Sequence, residues 1–282
     1  METNPRFRAL VTGASLGIGK AFAERFARDG YDLIVVARRR DRLEDLAQQL
    51  KENHQVDVEV FVADLSKPEQ LRKVEDRVAK DSELDMLVNN TGFAGYMPFA
   101  EFDPDQAEEL INLKILAITR LTRAALPAMI ARGRGSIINV SSRLAFSGPL
   151  GSGRLPKRAV YAGANAFINT FSQLVQSELE ATGVQVQALC PGLIATEFHS
   201  HVGADTSRFP AAIVMGPDEL VSASLAGLKL GEVICVPAME DTSLLAQIHE
   251  SEKPASSNNP AAARLQVDTK RNLWDYLNVK AD

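Results

Sequence analysis

Residues 8–19 constrain the fold of this chain more than any others. An apolar run, Arg8-Ala9-Leu10-Val11-Thr12, gives way to Gly13-Ala14-Ser15-Leu16-Gly17-Ile18-Gly19, and helical periodicity (Ile18, Phe22, Phe26) follows at once. A short apolar run closed by glycines reads as a buried strand turning sharply into a helix. Glycine permits the tight turn and lets backbone N–H groups come close to a bound group. The helix N-terminus adds the positive end of its dipole. Together they make an anion cradle, and at a first strand–helix junction it suits a dinucleotide pyrophosphate. Thr12, Gly13, Ser15, Leu16, Gly17, Ile18 and Gly19 are the candidate contacts.

The same alternation continues along the chain. Further strands are expected at 32–37, 56–62, 85–90, 136–141, 184–190 and 232–236, separated by helical patterns at 41–53, 68–80, 104–131 and 160–182. Strands such as Asp32-Leu33-Ile34-Val35-Val36-Ala37 are apolar almost throughout, as expected where helices cover both faces of a sheet. The pattern predicts an α/β chain with the doubly wound Rossmann fold, a parallel sheet of about seven strands in a single domain over residues 1–250. Residues 251–282 open with a polar, proline-containing stretch and read as a partly mobile extension, ending in a short helix that carries Leu273, Trp274, Tyr276 and Leu277.

Composition removes several alternatives. Of 282 residues, 45% are apolar and 24% charged, the balance of a soluble globule. A net charge of −5 argues against nucleic acid as partner. Two cysteines, Cys190 and Cys235, make neither a disulfide framework nor a metal site, and no long apolar run or secretory leader is apparent, so no membrane contact and a cytoplasmic location are expected. No metal is expected: His199 and His201 lack a third ligand at suitable spacing and fall in a lid segment, about 197–216, with Phe198, Phe209 and Met215.

The end of the second strand bears on which nicotinamide cofactor fits. A 2′-hydroxyl is usually held there by Asp or Glu, roughly 20 residues beyond the glycine loop. Here the residues are Arg38 and Arg39, whose guanidinium groups suit a 2′-phosphate, so NADP(H) is favoured over NAD(H) with Arg38 the first candidate.

At this point the chain resembles the short-chain dehydrogenase/reductase family over residues 6–236. Thr12-Gly13-x-x-x-Gly17-x-Gly19 looks like its cofactor loop, and Asp64-Leu65 resembles its adenine-side pair. Asn89-Asn90-Thr91-Gly92 is similar to its sheet-bracing motif, with Asn90 and Gly92 beside the cofactor. The resemblance implies a water-holding role for Asn112, a substrate-polarising role for Ser142 and a general acid/base role for Tyr161. It places Pro191, Gly192, Ile194 and Thr196 on the nicotinamide side. The activity implied is hydride transfer between NADP(H) and a small-molecule carbonyl/alcohol pair, in a homodimer or homotetramer joined through its long helices.

Two departures stand out. The family's Tyr-x-x-x-Lys reads Tyr161-Ala162-Gly163-Ala164-Asn165, so Asn165 occupies the place of a lysine that would stabilise the phenolate and contact cofactor ribose. A free tyrosine titrates near about 10, and a nearby cation is what brings it lower. Ser142 and Tyr161 also stand 19 positions apart, a longer interval than usual, and the inserted segment carries Arg154, Lys157 and Arg158. Either the segment is a solvated loop with mobile charges, or one of these cations replaces the missing charge or recognises an anionic substrate. The rival expectations are a cofactor-binding protein with weak or lost turnover, and a lyase or isomerase on the same fold.

Overall fold

The computed structural model describes residues 7–146, 157–197, 210, 213–237 and 243. The chain divides into two units at Pro237, and the account below concerns the first. The expectations for 251–282, for Arg154 and for Phe198, His199, His201 and Phe209 lie outside the described residues.

The apolar runs form β1 (Arg8–Thr12), β2 (Asp32–Ala37), β3 (Val58–Val62), β4 (Leu84–Asn89), β5 (Gly135–Val140) and β6 (Val184–Leu189). Two short strands, β7 (Leu193–Ile194) and β8 (Val214–Met215), precede β9 (Ile234–Cys235). The order is β3-β2-β1-β4-β5-β6-β9, all parallel, so the doubly wound, seven-stranded sheet predicted from the sequence is present. Pairing of β7 with β8 into a separate ladder is a feature the sequence reading missed, since two residues carry no periodicity.

Side chains of a strand alternate between faces, and both faces here are apolar. Val11, Val35 and Val88 point into one core with Phe22, Phe26, Leu43 and Leu220. Leu10, Ile34 and Leu87 point into the other with Leu71, Val74, Leu113 and Leu121. The helices are α1 (Gly17–Arg28), α2 (Arg40–His54), α3 (Pro68–Ala79), α4 (Pro104–Ile111), α5 (Ile118–Arg132), α6 (Ala159–Glu178) and α7 (Pro217–Lys229). Among the described residues none is long and apolar enough to cross a membrane.

The single helix expected over 104–131 is instead two helices joined by a π-helical turn, Asn112–Ala117. Such turns put an extra residue into one helical turn and change which side chains face inward beyond it. The polypeptide enters this element crisply: the Asp103 carboxylate accepts the Asp105 N–H at 2.8 Å, with Pro104 at the first helical position.

Strand β1 is flanked by β2 on one side and β4 on the other, so the strand order reverses there. A crevice opens outside the strand ends at such a switch point.

Candidate active site

A cavity of about 980 Å³ occupies that crevice. Its size is at the upper end of small-molecule sites, which run to about 1,000 Å³. Gly13, Ser15, Leu16, Gly17 and Ile18 line it with Arg38 and Arg39. So do Asp64, Leu65, Asn90 and Gly92, and Ser142, Tyr161, Pro191, Gly192, Ile194 and Thr196, the last packed beside Gly17 of the glycine loop. The structure therefore brings most of the residues predicted from sequence onto one surface.

The glycine loop is held open by backbone conformation. Gly13 and Gly17 have φ of +65° and +55°, values that disfavour a side chain. A Cβ on Gly19 would stand 2.3 Å from the Gly13 carbonyl oxygen, so Gly19 is required for packing although it does not line the cavity. Thr12 acts from behind: its Oγ1 donates to the Val88 carbonyl at 3.2 Å and accepts the Asn90 N–H at 2.9 Å. Asn90 Nδ2 donates to the Thr12 carbonyl at 3.1 Å, tying β1 to β4 directly under the loop.

The cradle fits a dinucleotide on two observations. Close packing against Asn90 and Thr196 leaves no room for a Cβ on Gly13 or Gly17, so bare backbone forms that part of the cavity wall. Thr91 Oγ1, on a residue of the cavity wall, is buried with no hydrogen-bond partner among the described residues, an orphan that a bound polar group would satisfy. Arg39 donates to Ser15 Oγ at 3.2 Å, and Arg38 pairs with Glu109 at 3.3 Å while 65% exposed.

The reactive end is built on β5 and the start of α6. Ser141 N–H donates to the Leu189 carbonyl at 2.7 Å and its hydroxyl donates to the Asn165 carbonyl at 3.0 Å, which fixes strand end against helix. Ser142 follows, its Oγ accepting the Leu144 N–H at 3.2 Å. Burial pushes the Tyr161 phenol above its ordinary pKa, and hydrogen bonding with Ser142 and Asn165 draws it back. Tyr96 stands edge-on to Tyr161, ring centroids 5.5 Å apart at 80°.

Three predicted residues make contacts that the sequence did not indicate. Asn165 is fully buried and not on the cavity wall; its Nδ2 donates to the Tyr161 carbonyl at 2.7 Å, and its Oδ1 is an orphan. Asn112 lies in the π turn with Nδ2 3.5 Å from the Ser66 carbonyl, also off the wall. Asp64 accepts the Ser66 N–H and hydroxyl at 3.0 and 2.7 Å, so its carboxylate shapes the turn after β3. Of the three cations before Tyr161, Lys157 and Arg158 are described, and neither lines the cavity.

The sequence reading missed Lys114. It sits in the π turn, 3% exposed, its Nζ donating to the Val140 carbonyl at 2.8 Å and lying 5.9 Å from the centre of the Tyr161 ring. A signal for it was available: Leu110, Leu113, Lys114, Ala117 and Leu121 form an apolar stripe that this lysine interrupts.

A family model for the short chain dehydrogenases matches residues 8–207. The chain belongs to the short-chain dehydrogenase family. It is 33% identical, with a TM-score of 0.81, to a short-chain dehydrogenase from Sphingobium yanoikuyae in complex with NADPH, covering 94% of this chain and 98% of that one. It is 32% identical over 195 residues to the human very-long-chain 3-oxoacyl-CoA reductase, covering 67% of this chain and 60% of that protein. It is 30% identical over 190 residues to the human inactive hydroxysteroid dehydrogenase-like protein 1, covering 67% of this chain and 56% of that protein. The chain thus spans less than two thirds of the length of these two curated relatives. The three similar proteins named here are a dehydrogenase, a reductase and a protein called inactive.

Proposed function

We propose that this protein is an NADP(H)-dependent carbonyl reductase. The observation that carries the reading is that Ser142 and Tyr161 line the same cavity as the glycine loop and two arginines. When bound, reduced nicotinamide supplies a hydride to the carbonyl carbon. Gly13 to Gly19 would hold the pyrophosphate, and Ser15 with Arg39 and Arg38 the 2′-phosphate. Backbone near Pro191 to Ile194 and the Thr196 hydroxyl would orient the nicotinamide side.

The Ser142 hydroxyl donates to the substrate oxygen and polarises the carbonyl. The Tyr161 O–H bond breaks as its proton passes to that oxygen, leaving a phenolate and an alcohol; solvent then returns a proton to the phenolate. Phe93, Tyr96, Leu144 and Ile213 on the cavity wall suit an apolar substrate. Asn112 keeps its proposed role of holding a water that links the tyrosine to solvent. The relative named a 3-oxoacyl-CoA reductase supports the reaction class.

A second reading has its own support: Asn165 in place of lysine, together with a relative named inactive, fits a protein that binds the cofactor without turnover. One experiment separates them. NADPH and NADH are titrated by fluorescence, then each is mixed with a panel of ketones and followed for loss of reduced-nicotinamide absorbance. We expect NADPH to bind more tightly, Arg39→Ala to weaken it by about 10- to 100-fold, and an apolar ketone to be reduced. Tight binding with no oxidation on any carbonyl would establish the second reading instead.

We also propose that the chain self-associates through the outer faces of its long helices, where Leu116, Ile130 and Leu174 are exposed apolar residues. Two buried, unpaired thiols agree with the proposed cytoplasmic location.

A further inference from the structure

The lysine that α6 lacks has a counterpart on a different element. We propose that Lys114 is the positioning residue for Tyr161: its ammonium, held in the π turn against the Tyr161 ring, stabilises the phenolate left when the phenol gives up its proton. The proposal rests on the reductase reading for the proton transfer, and on the geometry for the rest.

The geometry is specific. Gly92 makes room for the lysine stem, since a Cβ there would stand 2.7 Å from Lys114 Cε. The Val140 carbonyl anchors Nζ at 2.8 Å, using one of three N–H donors, and Val140 ends the strand that leads to Ser142. From α6, Tyr161 faces the ammonium across its ring at 5.9 Å, within the range of a cation–π contact. Lys114 lines the same cavity wall as Ser142 and Tyr161. Asn165, one turn along α6, has its Nδ2 turned to the helix's own Tyr161 carbonyl and supplies no charge.

The other groups around the ammonium do not neutralise it. From the end of β6 the Cys190 thiol faces it, and burial pushes that thiol up to about 12, so it stays protonated. Tyr96, after β4, is pushed up by burial and is also neutral. Ser142 and the Val140 carbonyl, from β5 and its end, carry no net charge. Burial draws Lys114 itself down to about 8, which leaves it mostly charged at pH 7. A neutral side chain could fill the same space without the cost of desolvating a cation, which argues against a purely structural role. A positive charge near a phenolate in a protein interior lowers its titration, by an amount that grows as their separation shrinks.

The test is the ionisation of residue 161 in the full chain carrying a polyfluorinated tyrosine there, whose acidic phenol ionises while Lys114 is still charged, read as phenolate ultraviolet absorbance minus that of the Tyr161→Phe variant. Lys114→Met is expected to raise the midpoint by about one unit or more, and to lower carbonyl reduction at least about tenfold with NADPH affinity retained. Adding Asn165→Lys to Lys114→Met returns a cation from α6 and should bring the midpoint back down. An unmoved midpoint in folded Lys114→Met overturns the proposal. If circular dichroism shows that variant unfolded, Lys114→Gln replaces it, keeping a donor for Val140. Independently, nuclear magnetic resonance of lysine-labelled unsubstituted protein, assigned with Lys114→Arg, must show a charged Lys114 at pH 7; a neutral amine there overturns the proposal. None of the spectroscopic arms needs turnover. Absence of carbonyl reduction would therefore end the reductase reading while the absorbance still decides the role of Lys114.

Discussion

Lys114 shows how much one side chain can cost a fold. Its pKa falls to about 8 because burial removes the water that would solvate the ammonium. A fall of that size from an ordinary lysine amounts to about 3 kcal/mol against the folded state. The sign follows from proton counting. Between the folded value near 8 and the unfolded value near about 10.5 the unfolded chain binds more protons, so stability rises with pH across that window. Below it the full penalty applies. Lys114→Met is therefore expected to be more stable than the unsubstituted protein at pH 7 by about 2 kcal/mol, after the lost Val140 hydrogen bond is subtracted. The gain should shrink toward pH 10. Urea unfolding at pH 7 and 9.5 measures it, and a Met variant that is less stable at both would contradict the account. The lysine was hard to read from sequence because a cation on an apolar stripe usually snorkels to the surface. Here the π turn and Gly92 give it an interior course. Ser142, Tyr161 and the glycines were legible because backbone geometry and chain order dictate them. Asn165 was legible as an identity, whereas the turning of its amide to the Tyr161 carbonyl depended on packing against Ser141.

At the scale of elements, the strands and helices follow from apolar periodicity, and the exceptions have physical causes. The sequence reading ran helix 104–131 straight through, because a π turn preserves apolar spacing on either side and inserts only one residue's worth of rotation. The β7–β8 ladder escaped because its partners lie in segments without alternation. The loop between β1 and α1 was read correctly as to position, and the structure adds why each glycine is needed. Two substitutions separate these reasons. Gly19→Ala drives a Cβ into the Gly13 carbonyl, so the loop must shift; NADPH affinity should fall at least about tenfold, one hydrogen bond's worth to a charged group. Gly163→Ala lies mid-helix in α6 with nothing within 4 Å of the new Cβ. It should leave binding alone and raise stability by about 0.5–1 kcal/mol. Fluorescence titration and thermal unfolding of both variants check the pair, and equal effects on binding would contradict the loop argument.

For the molecule as a whole, the sheet order places the strand reversal between β2 and β4, and every functional segment emerges on that side. The outer helical faces remain apolar at Leu116, Ile130 and Leu174, the last 59% exposed. Light scattering should therefore report a mass of two or four chains, and Leu174→Glu with Leu116→Glu should shift it toward one; a monomer at micromolar concentration before substitution would refute self-association. The brace beneath the glycine loop has a further consequence. Asn90, which holds the Thr12 carbonyl, directly follows the fourth strand, far along the chain from the loop it steadies. The loop is thus not a portable cassette. Grafting residues 8–19 onto another sheet would transplant the glycines without their support, and a nascent chain acquires a finished cradle only after β4 has been made and has paired with β1.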